Sequence, residues 1–146
     1  MKVSMGSDHA GFEQKELLKA YLQDQGYEVV DRGCYSEERA DYPDHAEPVA
    51  RDVAEGAADR GVLVCGTGIG MALAADKVAG VRAANIITPE FAALCREHND
   101  CNVITLSGRF VDVDVNKKIL DTFFATEFGG GRHAGRVAKI MALDGE

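Results

Sequence analysis

Two hydrophobic periodicities alternate along the chain. Short apolar runs over Lys2 to Ser7, Tyr27 to Asp31, Val62 to Val64, Val81 to Ile87 and Asn102 to Leu106 predict five strands. Helical spacing fills the gaps between them. Leu17, Leu18, Tyr21 and Leu22 recur over Phe12 to Gln25, and Gly26 is a natural stop. Val49, Val53 and Ala57 share one face of a second helix, for which Asp44 serves as the cap, running to about Ala58. A small-residue helix follows the third strand, to about Val78. Thr88-Pro89-Glu90 opens a fourth helix to about Glu97, with proline at the first helical position. Ile119, Leu120, Phe123 and Phe124 lie inside a fifth, Asp114 to Phe128. Gly129-Gly130-Gly131 breaks the chain before a last helix, Ala134 to Leu143.

Five alternations of strand and helix predict an α/β fold with a parallel sheet covered on both faces and right-handed crossovers. The 146 residues suit one domain, and no internal repeat or linker divides them. The glycine triplet is the only hinge-like stretch. It suggests that the final helix leaves the body and packs on a partner chain.

The third strand is where chemistry concentrates. Val62-Leu-Val64 ends in Cys65, and Gly66, Gly68 and Gly70 follow, with Thr67 between the first two. Strand, tight turn and helix start bring backbone close to a ligand and offer free N–H groups to an anion. Cysteine in that position favours thiolate, as nucleophile or as base, although free cysteine is also a common small core residue. The spacing is neither the dinucleotide fingerprint nor a P-loop, since Gly-Lys-Ser/Thr is missing. Other strand ends carry Asp8-His9 and, after the second strand, Asp41-Tyr42-Pro43-Asp44; His98-Asn99-Asp100 closes the fourth helix. Parallel sheets gather such residues along one edge. Arg132 and Arg136 are four apart, a spacing that suits a phosphate dianion if the last helix begins early enough, or simply surface charge. His133 falls off that face and reads as incidental. Cys95-x-x-His98-x-x-Cys101 has metal-like residue types, but Cys95 shares a face with Phe91 and Leu94 and reads as core.

Net charge is −8, which disfavours nucleic acid and anionic membranes as partners. The uncharged run Gly61 to Ala75 holds four glycines and is too short to span a bilayer. Met1-Lys2 passes directly into Val3-Ser-Met-Gly6 with no signal-peptide core, so the expectation is a cytoplasmic protein with reduced thiols.

The ordered set Gly6-Ser-Asp-His-Ala-Gly11, Asp41-Tyr-Pro-Asp44, Cys65-Gly-Thr-Gly-Ile-Gly70, His98-Asn-Asp100 and Gly130-Gly-Arg-His133 with Arg136 resembles the ribose-5-phosphate isomerase B family. That family also includes the galactose-6-phosphate isomerase subunits. The resemblance spans nearly the whole chain. It implies a Rossmann-like αβα sandwich, assembled as a homodimer or as tetramers of such dimers, with active sites shared between subunits. It implies a small sugar phosphate as substrate and no cofactor or metal. Cys65 matches the base that moves a proton between the two carbons of an aldose–ketose pair. Thr67 and the amides of Gly66, Gly68 and Gly70 match the loop that stabilises an enediolate. Asp8 and His98 match ring-opening residues, His9, Arg132 and Arg136 phosphate ligands, and Tyr42 and Asn99 sugar contacts; His98, Asn99, Arg132 and Arg136 would come from the other subunit. The implied reaction interconverts ribose 5-phosphate and ribulose 5-phosphate. Isomerisation of another four- to six-carbon sugar phosphate, a sugar-phosphate-binding module without turnover, and a thiol-dependent hydrolase are the competing readings. Two positions depart from the family pattern: Asp76, where asparagine is usual before lysine, and His45, where an apolar residue is usual. An extra carboxylate near the glycine loop would bear on substrate choice or on the thiol.

Overall fold

A computed structural model describes residues 1–145. Five strands form one parallel sheet: β1 (Lys2–Ser7), β2 (Glu28–Asp31), β3 (Arg60–Cys65), β4 (Ala83–Asn85) and β5 (Val103–Ser107). Their order is β2-β1-β3-β5-β4. The helices are α1 (Phe12–Asp24), α2 (Tyr42–Ala54), α3 (Ile69–Ala75), α4 (Pro89–Asn99), α5 (Val113–Ala125) and α6 (Arg132–Ala142), followed by a 3-10 turn over Leu143–Gly145.

The sheet is buried on both faces, so its strands read as near-continuous apolar runs. Alternation within β3 divides the core. Val62 and Val64 join Leu18, Leu22, Ile119, Leu120 and Phe123 beneath α1, α4 and α5. Leu63 and Cys65 join Val49, Met71 and Ala75 beneath α2 and α3. Period two therefore puts Cys65 on the α2/α3 side. From β1 the chain winds outward to β2, then returns to place β3 on the other side of β1. The switch point lies between the C-terminal ends of β1 and β3, where parallel sheets open a crevice. Asp8 and Cys65 stand on either side of it.

Several predicted boundaries shift. α2 begins at Tyr42 with Asp41 at the N-cap, not at Asp44; Pro43 sits in its first turn, where a missing N–H costs nothing. Ala57 lies past its end and is exposed. β4 keeps only three of the seven expected residues, because an edge strand pairs only as far as β5 reaches it. α3 stops at Ala75, a seven-residue helix. α6 begins at Arg132, two residues earlier than the pattern indicated.

One buried cation holds the β2 edge. Lys15 of α1 is fully buried, and its Nζ donates to Asp31 at 2.7 and 2.8 Å and to the Cys34 carbonyl at 2.7 Å. Burial pushes the Asp31 carboxyl up, but bonds from Lys15, Lys19 and the Gly33 N–H outweigh it and hold the group below the usual carboxylate range. Among the described residues, no helix is long and apolar enough to cross a membrane.

Candidate active site

Cys65 ends β3 with its thiol buried. The chain then turns through Gly68 at φ +87, a conformation that favours glycine. This turn folds the Gly68 N–H back onto Cys65 Sγ at 3.1 Å. Thr67 Oγ1 accepts from the Ile69 N–H at 3.1 Å and leaves its own hydroxyl face exposed. With only seven residues in α3, the sulfur's immediate polar partner is this one amide.

The loop after β5 clamps the turn from beneath. The Gly108 N–H donates to the Cys65 carbonyl at 2.8 Å, and Ser107 Oγ and the Arg109 N–H both donate to the Gly66 carbonyl, at 2.8 and 3.1 Å. Asn116 in turn holds the Ser107 carbonyl at 3.0 Å. At the other side of the switch point, Asp8 is buried, and its carboxylate accepts the Gly11 N–H at 3.0 Å. Tyr42 lays its ring against Gly70; a Cβ there would lie 2.6 Å from a ring carbon. An open cavity of about 440 Å3 follows, lined by Asp8, Tyr42, Cys65, Gly66, Thr67 and Gly70, with Ile69 and Leu73 at its rim. Gly68 is buried and is not part of that lining.

Six of the expected residues thus meet in one cavity. The others do not. His9 is half-buried, and its Nδ1 accepts the Ala40 N–H at 3.1 Å, which fixes the ring against the loop leading into α2. His98 and Asn99 end α4 outside the Cys65 cavity. Asn99 lines a different one, of about 420 Å3, with Asp76, Arg82, Cys101 and Asp144. Arg132 and Arg136 are exposed one turn apart on α6.

Two expectations need correction, and a third holds only in part. His133 is not incidental: its ring stacks on His98, with centroids 4.3 Å apart and planes 17° apart. Desolvation, then the neighbouring His98, Arg132 and Arg136 charges, hold its imidazole below the ordinary histidine range. Cys95 lies in the core as expected, although Phe91 and Leu94 on the same helical face are exposed, at 59% and 41%; they line an open groove beside Ile86. Asp76 does not face the thiol: its carboxylate accepts the Ala83 N–H at 2.7 Å and lines the Asn99 cavity, not the Cys65 one. His45 faces the Arg32 carbonyl at 3.2 Å.

The supporting residues Ser107, Thr105 and Asn85 escaped the sequence reading. Their signal was polarity inside apolar strand runs, Val103-Ile-Thr-Leu-Ser107 and Ala83-Ala-Asn85. A buried polar side chain in a two-sided sheet requires a partner.

Residues 3–140 match the model of the Ribose/Galactose Isomerase family. The chain belongs to this family. Ribose-5-phosphate isomerase B of Escherichia coli is 44% identical over 143 residues, covering 98% of this chain and 96% of that one. The fold matches ribose-5-phosphate isomerase B of Clostridium thermocellum with a TM-score of 0.98, at 45% identity over 99% of this chain and 98% of that chain. The Mycoplasma genitalium family member, solved with bound ribulose 5-phosphate, matches with a TM-score of 0.95, at 41% identity over 99% and 97% of the two chains. The three-layer arrangement expected from the resemblance is therefore the family's own fold.

Proposed function

We propose that this protein is an aldose–ketose isomerase interconverting D-ribose 5-phosphate and D-ribulose 5-phosphate by proton transfer through an enediolate, with Cys65 as the base. The observation that carries this reading is the Cys65 thiol lining the cavity, held by an inward-turned N–H, with Thr67 in the same lining. The proton on C2 of an open-chain aldose becomes removable only when the neighbouring carbonyl is polarised. The amides of Gly66 and Gly70 and the Thr67 hydroxyl, which line the cavity, donate to the oxygens on which negative charge develops, while the Gly68 N–H stays on Cys65 Sγ. Fixed donors of this kind contribute several kcal/mol. Cys65 takes the proton from C2 and returns it to C1, while the proton of the C2 hydroxyl passes to the C1 oxygen, so the aldehyde becomes a hydroxymethyl group and C2 becomes the ketone. One base shielded from water suffices for both transfers.

Asp8 and His98 open the furanose ring, His9, Arg132 and Arg136 hold the phosphate, and Tyr42 and Asn99 contact the sugar. Phosphate held far from the reacting carbons orients the chain for transfer. The partition of these residues supports a shared site. Cys65, Thr67, Asp8 and Tyr42 line one cavity, while His98, Arg132 and Arg136 lie outside it. A homodimer that sets α4 and α6 of one protomer over the partner's Cys65 cavity completes two equal sites. α6 supports the same reading: Val137 is its one buried residue, and Ile140 remains 46% exposed. Neither nucleic acid nor membrane enters this reading, and a cytoplasmic location fits it.

The experiment is NMR of the EDTA-treated protein with ribose 5-phosphate in D2O. Ribulose 5-phosphate should form with deuterium entering at the carbon that receives the proton. No product and no exchange would remove this substrate, and four- and six-carbon sugar phosphates would be the next tested.

A further inference from the structure

The thiol loop is held by two residues from neighbouring strands that line neither the sulfur nor the carbonyl-facing surface. Thr105 is fully buried in the middle of β5, and its Oγ1 donates to the Gly68 carbonyl at 2.8 Å. Asn85 ends β4, and one end of its side-chain amide faces only acceptors, Thr105 Oγ1 at 3.2 Å, the Thr105 carbonyl at 3.1 Å and the Thr67 carbonyl at 3.3 Å, while the other end faces donors. Its NH2 end therefore takes that position. Thr105 Oγ1 accepts from Asn85 while donating to Gly68, so the three groups form a directed chain.

Gly68 sits between two peptide planes, and each plane is gripped at both ends. The 67–68 plane has its carbonyl on Asn85 and its N–H on Cys65 Sγ. The 68–69 plane has its carbonyl on Thr105 and its N–H on Thr67 Oγ1. Glycine at φ +87 has wide rotational freedom and no side chain of its own, so these four contacts fix the turn. No room is left for substitution, because a Cβ on Gly68 would collide with the Asn85 side chain and lie 3.0 Å from the Leu106 backbone.

We infer that Asn85 and Thr105 are positioning residues for the thiol, which set the Gly68 N–H on Cys65 Sγ by fixing the two peptide planes around it. This deepens the proposed isomerase reading and rests on it only for the catalytic readout. Thr105→Val keeps shape but removes the donor, and leaves a buried carbonyl unpaired. Asn85→Asp sets a carboxylate against two carbonyl oxygens. Thr105→Ser keeps the hydroxyl.

The test uses the full chain and two independent readouts. In ribose 5-phosphate turnover, Thr105→Val should lower kcat about tenfold or more with KM within about twofold, Asn85→Asp should behave likewise, and Thr105→Ser should restore most of kcat. Site-resolved iodoacetamide alkylation of Cys65, followed by mass spectrometry, should change its rate at least about threefold in Thr105→Val and Asn85→Asp and return towards the parent rate in Thr105→Ser. The Gly68 amide resonance should move in the first two and not in the third. A Thr105→Val protein that folds, with unchanged Cys65 alkylation and an unmoved Gly68 amide, overturns the inference. So does a loss that Thr105→Ser fails to rescue. If Thr105→Val does not fold, Asn85→Asp and Thr105→Ser carry the test. If the parent protein does not turn over ribose 5-phosphate, that substrate falls while alkylation and the amide resonance still decide the role of Asn85 and Thr105.

Discussion

The two clusters of candidate residues differ in how they are held. Around Cys65, strand ends, turn and loop are tied by buried backbone and side-chain bonds from β1, β3, β4 and β5. Around His98, the fixed elements are a helix end, a histidine stack and a helix with one buried residue. The first is tied together within a single chain; the second has both arginines exposed and its histidines half-buried. The difference teaches that, in the proposed isomerase, preorganisation falls where protons would move, and that phosphate recognition would fall to a helix which association can bury. Fixed donors act without reorganisation at the moment of reaction, whereas a dianion tolerates longer, more mobile partners.

The largest effect should come from breaking the first cluster. Cys65→Ala should lower kcat by about 10^3-fold or more while sugar-phosphate binding, followed by calorimetry, changes little. Retained turnover would take Cys65 out of the chemistry. Arg136→Ala should instead raise KM by about tenfold to a hundredfold, the range of one charge-assisted phosphate contact. An unchanged KM would leave Arg136 as surface charge.

Mixing these two variants, assayed at substrate far below the raised KM of Arg136→Ala so that each alone is nearly silent, sharpens the comparison further. If each site takes Cys65 from one protomer and Arg136 from the other, a mixed dimer has one intact and one doubly damaged site. Random exchange of equal amounts then restores about a quarter of the parental sites. A mixture with only the summed activity of its parts would place both residues in one chain's site.

The sheet and its crossovers were legible because a buried parallel strand and an amphipathic helix have different periods. Cys65 and the glycine turn were legible because three glycines directly after a buried strand let the backbone close on a ligand, and a thiol at that point stands beside it. His133 was misjudged because helical spacing from Arg132 says nothing about a ring arriving from α4. The start of α2 was misplaced because a capping residue was sought in Asp44, whereas Pro43 already sets the first turn. Thr105 and Asn85 were missed because they act on backbone that comes near only after β3, β4 and β5 pair.

Acid should test the β2 flank of the first cluster more gently. The Arg32 guanidinium, bonded to Asp52 at 2.7 Å through both oxygens, holds that carboxyl below its usual range, and Asp31 is likewise depressed. A depressed folded-state value contributes stability that is present above the unfolded value, near pH 4, and is lost as pH falls through the folded one. Asp52→Asn should therefore lower the melting temperature by a few degrees at pH 7 and flatten its decline below about pH 4. An acid limb identical to the parent's would show that Asp52 is not among the groups that set it.

The smallest expected effect concerns Asp76, beside the second cluster. Burial pushes its carboxyl above the usual range; the Ala83 N–H opposes this, and the Asp144 charge adds to it. The sign is opposite to that of Asp52. A raised folded-state value means that ionisation costs the folded state, so the cost is absent at low pH and present above the folded value. Asp76→Asn keeps an oxygen for the Ala83 N–H and removes the charge facing Asp144. It should raise the melting temperature by about 1–2 °C at pH 7, with the gain shrinking towards pH 4, because surface changes of this kind stay within about 0.5 kcal/mol. Since Asp76 lies outside the Cys65 cavity, kcat should stay within about twofold. A large change in kcat without a change in stability would mean that the Asn99 cavity, and the carboxylate in it, reaches the substrate across the proposed dimer.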